Sequence, residues 1–397
     1  MLLIGSATLV GSALEIAASR DISADFENHR ALCRMYLCED ALALSDAYQR
    51  QLQGTNESIS IASKILLDSL VRDPASAYRW LDLGQVLSQA GFLDQASYCV
   101  GRALQLGGDS ADVALAAGDF YLRFGDRHEG LHELARTLRL TRAFDQPVFS
   151  LFGARRVSID DTLTYGMPED KFAVQAYLRD AIERREVDHA GKIWKWMTDR
   201  GLGDQKIAIE YSSFLFYQHQ FLQASAVWTQ FAPANGDNEH LYNGTFAHGP
   251  LAGAVFDWTI TPAKGVTIRR DCQPQSDECS LQIQFSGSEN IDFKNVSQNV
   301  VLAPGEYRLR ALVRATGMTT DQGLFVEVKD GENEGRLDVQ SDQLKGSSDW
   351  HEIQIPFKVE PATHFVNVVV RRRASERFDS KISGTVWIRN ISLTRTN

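Results

Sequence analysis

Small and aromatic residues recur along the first half of the chain at a fixed spacing of 34 residues. Ala190 and Trp194 are followed by Ala224 and Trp228 at that spacing. The same step relates Gly84 to Gly118, Leu87 to Tyr121, Ala96 to Gly130 and Ala103 to Thr137. A period of this length corresponds to one helical hairpin, which cannot bury its apolar face alone and must stack on its neighbours. The first half is therefore predicted to be an α-solenoid.

The clearest copy of this repeat runs from Ala77 to Ser110 and resembles the tetratricopeptide family. Its diagnostic positions are Trp80, Leu83, Gly84 and Leu87 on the first helix, and Ala96, Val100 and Ala103 on the second. The small residues let two helices approach closely, and the larger ones fill the groove between them. The period slips between residues 141 and 169, where two prolines and two glycines predict an irregular hairpin or loop: Pro147, Gly153, Gly166 and Pro168.

The pattern changes after a polar, turn-rich stretch near residues 233–240, because short alternating runs replace the helical period. The predicted strands cover residues 280–285, 306–314, 324–328, 351–357, 365–370 and 385–393. Such a set predicts a β-sandwich of the jelly-roll type. The chain is thus predicted to be a multidomain α + β protein, with a tetratricopeptide-like α-solenoid at 21–232, a linker at 233–240 and a sandwich at 241–397.

Several motifs of the second half resemble the jelly rolls of carbohydrate-binding modules. They are Tyr242–Phe246, Phe256–Trp258, Ala303–Leu309, Asp349–Trp350 and Val386–Leu393. Such modules often hold a structural calcium through an acid just after the opening motif and another in the closing strand. This chain has Ala247 and Arg389 at those positions. Since calcium prefers carboxylate oxygens, the loss of both acids argues against the usual calcium site, and no cofactor is expected.

A tetratricopeptide solenoid followed by a jelly roll resembles bacterial accessory proteins of exopolysaccharide synthesis and export. That resemblance implies a non-enzymatic scaffold, in which the solenoid binds protein partners of the complex and the sandwich contacts glycan outside the cytoplasm, in the periplasm. An interaction scaffold that binds only protein is the alternative.

Candidate binding residues follow from the expected geometry of each half. Sugar sites combine a stacking ring with planar polar groups, so Trp258 and Trp350 are candidate platforms. The polar candidates, expected opposite the apolar stripe of the sandwich, are Gln282, Gln284, Arg308, Arg310 and Glu327. The first helices of a solenoid line its concave face, where the partner-binding candidates are Tyr78, Gln85, Asp119, Arg179 and Lys206.

Charge, cysteines and the first residues bear on partners and compartment. A formal net charge of -10 without a basic domain argues against a nucleic-acid binder.

Cys272 and Cys279 lie in one polar loop between predicted strands. They are expected either as a disulfide, which needs an oxidising compartment, or as two free thiols. Residues 1–18 are apolar apart from Glu15, which fits either a signal-anchor that tethers the chain to a membrane or a first helix of the solenoid.

One string has the form of a catalytic zinc motif. His128, Glu129 and His132 match the H-E-x-x-H spacing, which on a helix places two imidazoles on one face with a glutamate as base. Gly130, however, takes the small-residue position of the repeat, and no third ligand stands at a familiar spacing. A zinc hydrolase is therefore kept only as a third alternative, and the chain is expected not to be an enzyme.

Overall fold

The computed structural model of the protein describes residues 46–232, 239–272, 278–378 and 380–396. The chain divides into two compact units between Gly203 and Asp204. The stretch from 1 to 18, for which a signal-anchor was an alternative, lies outside the described residues. Among the residues that are described, no helix combines the length and the apolar character needed to cross a membrane.

The first unit is helical. Residues 46–53 form a helix, and the helices that follow are α1 (Asn56–Arg72), α2 (Ala77–Gln89), α3 (Leu93–Gly107), α4 (Ala111–Phe124), α5 (Arg127–Leu140), α6 (Asp145–Ala154), α7 (Lys171–Glu183) and α8 (Val187–Asp199). Polar side chains fix several of their beginnings, because a side-chain oxygen can accept the free N–H groups of a first turn. Asp126 accepts from His128 and Glu129 before α5, and Asp170 accepts from Ala173 before α7.

Close helix crossings occur at the small residues that define the repeat. A Cβ added to Gly118 of α4 would lie 2.7 Å from a methyl of Leu134 and 3.1 Å from the carbonyl oxygen of Gly130. One added to Gly130 of α5 would lie 3.0 Å from the carbonyl oxygen of Gly118. The two glycines thus permit backbone contact within this hairpin. Ala96 and Ala190, at the matching position of their hairpins, are each 0% exposed.

The irregular stretch after α5 is more helical than predicted. Helix α6 spans ten residues, with Pro147 in its first turn, where the missing N–H costs no intrahelical hydrogen bond. A short helical turn, Ile159–Asp161, then passes into a π-helical turn, Thr162–Gly166. The expectation of a loop was therefore wrong for α6, because a proline near a helix start does not break that helix.

The second unit begins with the hairpin α9 (Gln205–Tyr217) and α10 (Phe221–Phe231) and continues into ten strands. The strands are β1 (Thr259–Ile260), β2 (Val266–Cys272), β3 (Cys279–Ser286), β4 (Phe293–Val300), β5 (Gly305–Met318), β6 (Phe325–Asp330), β7 (Asp338–Gln340), β8 (Gly346–Val359), β9 (Val366–Arg372) and β10 (Ser383–Arg395). They form two antiparallel sheets, sheet I in the order β1-β4-β9-β6-β7 and sheet II in the order β2-β3-β10-β5-β8.

The two sheets enclose one apolar core, so the second half is a jelly-roll β-sandwich, as predicted. The inward side chains of β5, which include Leu309 and Val313, are buried together with Leu281 and Ile283 of β3 and with Val368 of β9. Every predicted strand is present. The alternation did not reveal β1, β2, β4 or β7, because β1 and β7 are only two and three residues long and β2 and β4 carry few large apolar residues.

The α9–α10 hairpin packs on the sandwich within this unit. The Phe216 ring meets Phe256 edge-on at 5.6 Å and Phe365 at 4.8 Å. Trp228 meets Tyr242 edge-on at 5.0 Å. The composition of the chain changes near residue 233, whereas the division between compact units falls one hairpin earlier. The α9–α10 hairpin belongs to the second unit because its aromatic side chains are buried against the sandwich.

Candidate functional site

The outer face of sheet II carries a row of polar and aromatic side chains. Alternation along β5 buries Tyr307, Leu309, Ala311, Val313 and Ala315 and leaves Arg308, Arg310, Leu312 and Arg314 on the outer face. Strand pairing then sets Arg269 opposite Gln282, Gln282 opposite Trp387, and Trp387 opposite Arg314. Four neighbouring strands thus contribute one residue each to a single row.

Two tryptophans and two arginines of this face lie in contact. The guanidinium carbon of Arg314 lies 4.1 Å from the centre of the Trp387 ring and 5.3 Å from that of Trp350. The guanidinium carbon of Arg389 lies 4.5 Å from the centre of the Trp350 ring. Both indoles are half-buried. We call Arg314, Trp350, Trp387 and Arg389 the Trp–Arg cluster; cation–π attraction holds it together.

Acidic residues fix the outer members of the cluster. The Trp387 Nε1–H donates to Asp271 Oδ2 at 3.0 Å, and Arg389 forms an ion pair with Glu278. Within the described residues, by contrast, Arg314 has no hydrogen-bond or ion-pair partner for its guanidinium, and its Nε is buried without one. Among the residues that the structure describes, Arg314 is therefore contacted through the two rings and not through a carboxylate.

The predicted glycan-binding residues differ in their exposure and in the sheet on which they lie. Trp350 lies in the cluster, Gln284 and Arg310 are exposed on the same sheet, and Arg308 is half-buried there. Gln282 belongs to the row but is only 7% exposed, and it accepts a hydrogen bond from Arg269.

Two of the predicted glycan-binding residues are not available. Trp258 is 2% exposed and packs on Phe246, with its Nε1–H donated to the carbonyl of Asn243 at 3.1 Å. It is a core residue, because the burial of its ring and the pairing of its N–H are both satisfied internally. Glu327 lies on β6 of the other sheet at 1% exposure, where Arg371 pairs with it at 2.9 Å and Arg373 at 3.5 Å. It balances charge inside sheet I, so its prediction as a sugar contact was wrong.

The sequence reasoning missed Trp387 and Arg314. Both were detectable by the alternation that identified Arg308 and Arg310, because Arg314 continues that outer series and Trp387 stands between the buried Val386 and Ile388. In the sequence, Arg389 indicates only that the expected calcium-binding acid is replaced. In the structure it lies two residues after Trp387 on the same face of β10.

An arginine of β2 contacts the loop that contains Phe246 and Ala247. Arg270 of β2 donates through Nε to the carbonyl oxygen of Phe246 at 2.8 Å and through Nη2 to that of Ala247. A guanidinium thus supplies positive charge to two loop carbonyls, as a bound cation would. The residues at this loop fit an internal arginine better than a calcium ion.

Among the described residues, one group of three side chains could hold a metal ion: Glu129, His132 and Glu133. His128 is not part of it, because its ring stacks on Tyr165 at 4.2 Å. Glu133 is also paired with Arg136 at 3.3 Å. Among the described residues, the two histidines of the H-E-x-x-H string are therefore not brought together as ligands of one metal site.

The predicted partner-binding residues lie on the first helices of their hairpins. Tyr78 of α2 donates to Asp112 at 2.8 Å, and Asp119 of α4 is paired with Arg155 at 2.6 Å. Gln85 of α2 and Arg179 of α7 are half-buried, and Lys206 of α9 is exposed. The first four belong to the first unit, and Lys206 belongs to the second. Tyr78 of α2 thus contacts α4, and Asp119 of α4 contacts the residue that follows α6.

A disulfide joins Cys272 to Cys279, the pair proposed from the sequence. It links the end of β2 to the start of β3, where Asp271 and Glu278 contact the Trp–Arg cluster. The bond therefore ties together the two strand ends that carry these acids.

No protein-family model and no curated protein matches the chain. Solved structures with partial likeness include TmCBM61 in complex with beta-1,4-galactotriose, at 18% identity and a TM-score of 0.27, covering 40% of this chain and 99% of that one. A structure titled "CBM4 structure and function" has 13% identity and a TM-score of 0.29, covering 39% of this chain and 99% of that one. The enzymatically active domain of bacteriophage CBA120 tailspike protein 4 has 13% identity and a TM-score of 0.28, and the match spans only 22% of that chain.

Proposed function

We propose that this protein binds glycan through the outer face of sheet II. The observation that carries the proposal is the Trp–Arg cluster, in which two half-buried indoles contact the Arg314 guanidinium, which has no hydrogen-bond or ion-pair partner among the described residues. A pyranose has apolar C–H faces and a rim of hydroxyls, so it is recognised by aromatic rings beside planar hydrogen-bond donors. The cluster offers both on one sheet.

The row around the cluster extends this surface across several strands. Gln284 and Arg310 are exposed on the same face, and Gln354 of β8 lies opposite Arg310. An extended polymer requires a long, shallow surface rather than a closed pocket, and a five-stranded sheet face provides one. The proposed ligand is therefore a polysaccharide chain lying across the strands.

We further propose that the chain is a non-enzymatic accessory protein of bacterial extracellular polysaccharide assembly or export. The helical hairpins would bind protein partners of that machinery while the sandwich holds glycan. The disulfide favours an oxidising compartment such as the periplasm. A scaffold that binds only protein is the competing function, and it predicts no retention on any glycan.

Affinity electrophoresis of the full chain against a panel of bacterial polysaccharides tests glycan binding. We expect retardation on at least one polymer and its loss in the double variant Trp350→Ala/Trp387→Ala. Trp196→Ala is the matched control, because Trp196 also lies under an arginine, Arg200, at 4.1 Å, but belongs to a helix of the first unit. Equal retardation of the double variant and the control would refute this site, and no retardation on any polymer would favour the protein-only scaffold.

A further inference from the structure

We infer that the glycan bound at the Trp–Arg cluster is acidic, with a sugar carboxylate received by Arg314. This rests on the proposed function, and it adds the chemical class of the ligand. The whole chain has a net charge of -10, so a face rich in unpaired arginines departs from the rest of the molecule. Such a local field favours an anionic ligand.

Several arginines of this face lack an acidic partner. Among the described residues, Arg308, Arg310 and Arg314 have no carboxylate within ion-pair distance. The acids that contact the cluster are already engaged, since Asp271 accepts from Trp387 and Glu278 pairs with Arg389. Glu352 of β8, opposite Leu312 on the same face, accepts from Gln354. Positive charge therefore remains along β5, with Arg314 beside the two rings.

The placement of Arg314 suits a carboxylate in particular. An indole takes the face of a guanidinium, whereas a carboxylate binds in the plane of its N–H groups, so the two contacts do not compete. Because the Nε of Arg314 is buried without a partner, the two Nη groups are the donors left for a ligand. Trp350 and Trp387 both contact this guanidinium, so a sugar ring bound beside Arg314 would meet their indoles. A uronic acid residue matches both requirements, whereas an acidic peptide would use only the charge.

The test compares polymers that differ only in the carboxylate. Alginate, polygalacturonate and a glucuronic-acid-containing polysaccharide are each paired with their carboxyl-reduced form, which keeps the sugar backbone and removes the charge. Poly-L-glutamate serves as a polyanion without sugar. We expect the full chain to be retarded by at least one uronic acid polymer, and at least about tenfold less by its reduced form, because charge-assisted hydrogen bonds are lost.

Variants then assign the effect to Arg314. Arg314→Gln should lose the preference for the acidic form, while Arg314→Lys should keep part of it, because a lysine retains charge but cannot bind bidentately. Arg377→Gln is the matched control, since Arg377 is a highly exposed arginine of the same unit that pairs with Asp321. Thermal melting of each variant checks that the fold is retained.

Each outcome decides the inference. Equal binding to an acidic polymer and its reduced form, or binding to neutral polymers alone, would overturn the acidic preference and leave glycan binding intact. Equal retardation by poly-L-glutamate would show that charge alone suffices, and it would overturn recognition of a sugar carboxylate. Absence of retardation by every polymer would contradict this inference and the proposed function together.

Discussion

The guanidinium carbon of Arg314 lies 4.1 Å from the centre of the Trp387 ring, on the neighbouring strand. The two residues are paired across β5 and β10, so the contact is set by the register of these strands. Cation–π contacts of this kind contribute about 0.5 to 2 kcal/mol, depending on how far the pair is desolvated. The contact can be measured as a coupling energy without knowledge of the ligand.

We predict that Arg314→Ala and Trp387→Ala are energetically coupled. A double-mutant cycle by urea denaturation should give a coupling free energy of about 0.5 to 1.5 kcal/mol. As a control, Trp387→Ala combined with Arg377→Ala should be additive, because Arg377 pairs with Asp321 and has no contact with the cluster. Additivity in the first cycle would mean that the ring and the guanidinium do not hold each other in solution.

A second prediction concerns Arg270, which donates to the carbonyl oxygens of Phe246 and Ala247. Arg270→Ala should lower the free energy of unfolding by about 1 to 2 kcal/mol, because it leaves the partly buried carbonyl of Phe246 and the exposed carbonyl of Ala247 without this donor. Addition of EDTA should leave the thermal midpoint of the unmodified protein unchanged, since the arginine supplies the positive charge. Arg377→Ala serves as the exposed control and should change stability little.

Two results would contradict the prediction for Arg270. If EDTA lowers the thermal midpoint and calcium restores it, the loop binds a cation in addition to Arg270. If Arg270→Ala has no more effect than Arg377→Ala, the two hydrogen bonds contribute nothing measurable to stability.

The sequence predicted the strands of the sandwich better than it predicted the site. Alternation identifies the inward side chains of a strand, so β5 and β10 were found correctly. It cannot show which strands become neighbours. Trp387 and Arg314 are far apart in sequence and meet only because β10 pairs with β5.

Burial on both faces of a strand explains one failure. Glu327 stands between apolar residues of β6, which predicts an outward side chain, yet the flanking arginines Arg371 and Arg373 cover it. Trp258 failed for another reason. An aromatic residue outside an alternating run gives no indication of its direction, and this one is directed into the core, where it packs on Phe246.

The helical half was predictable where packing demands small residues. Gly118 and Gly130 permit a backbone contact that larger residues would prevent, so the repeat is visible in the sequence. The stretch from Asp145 to Gly166 does not follow the 34-residue period, so its helix α6 and π-helical turn could not be foreseen from that period.

A third prediction tests the register of the hairpin formed by α7 and α8. Ala190 is 0% exposed at the position that matches Ala96 and Gly130. Ala190→Leu should overpack this crossing and lower the free energy of unfolding by about 1 to 3 kcal/mol in urea denaturation. Ala226→Leu is the control, because Ala226 is exposed on α10 and a larger side chain there meets solvent. Equal effects of the two substitutions would contradict the assigned register.

The last prediction concerns the disulfide between Cys272 and Cys279. Alkylation of the native chain without reductant should leave both cysteines unmodified by mass spectrometry, and prior reduction should expose both. Cys99 is the internal control, since it is 3% exposed and burial raises the pKa of its thiol to about 11, so it should react only after unfolding. The double variant Cys272→Ser/Cys279→Ser should lower stability by about 2 kcal/mol, because the bond closes a short loop. The double variant should also weaken glycan retention. The disulfide holds together the strand ends that carry Asp271 and Glu278, and these two acids contact Trp387 and Arg389.

Alkylation of both thiols in unreduced protein would refute the bond and remove its support for an oxidising compartment.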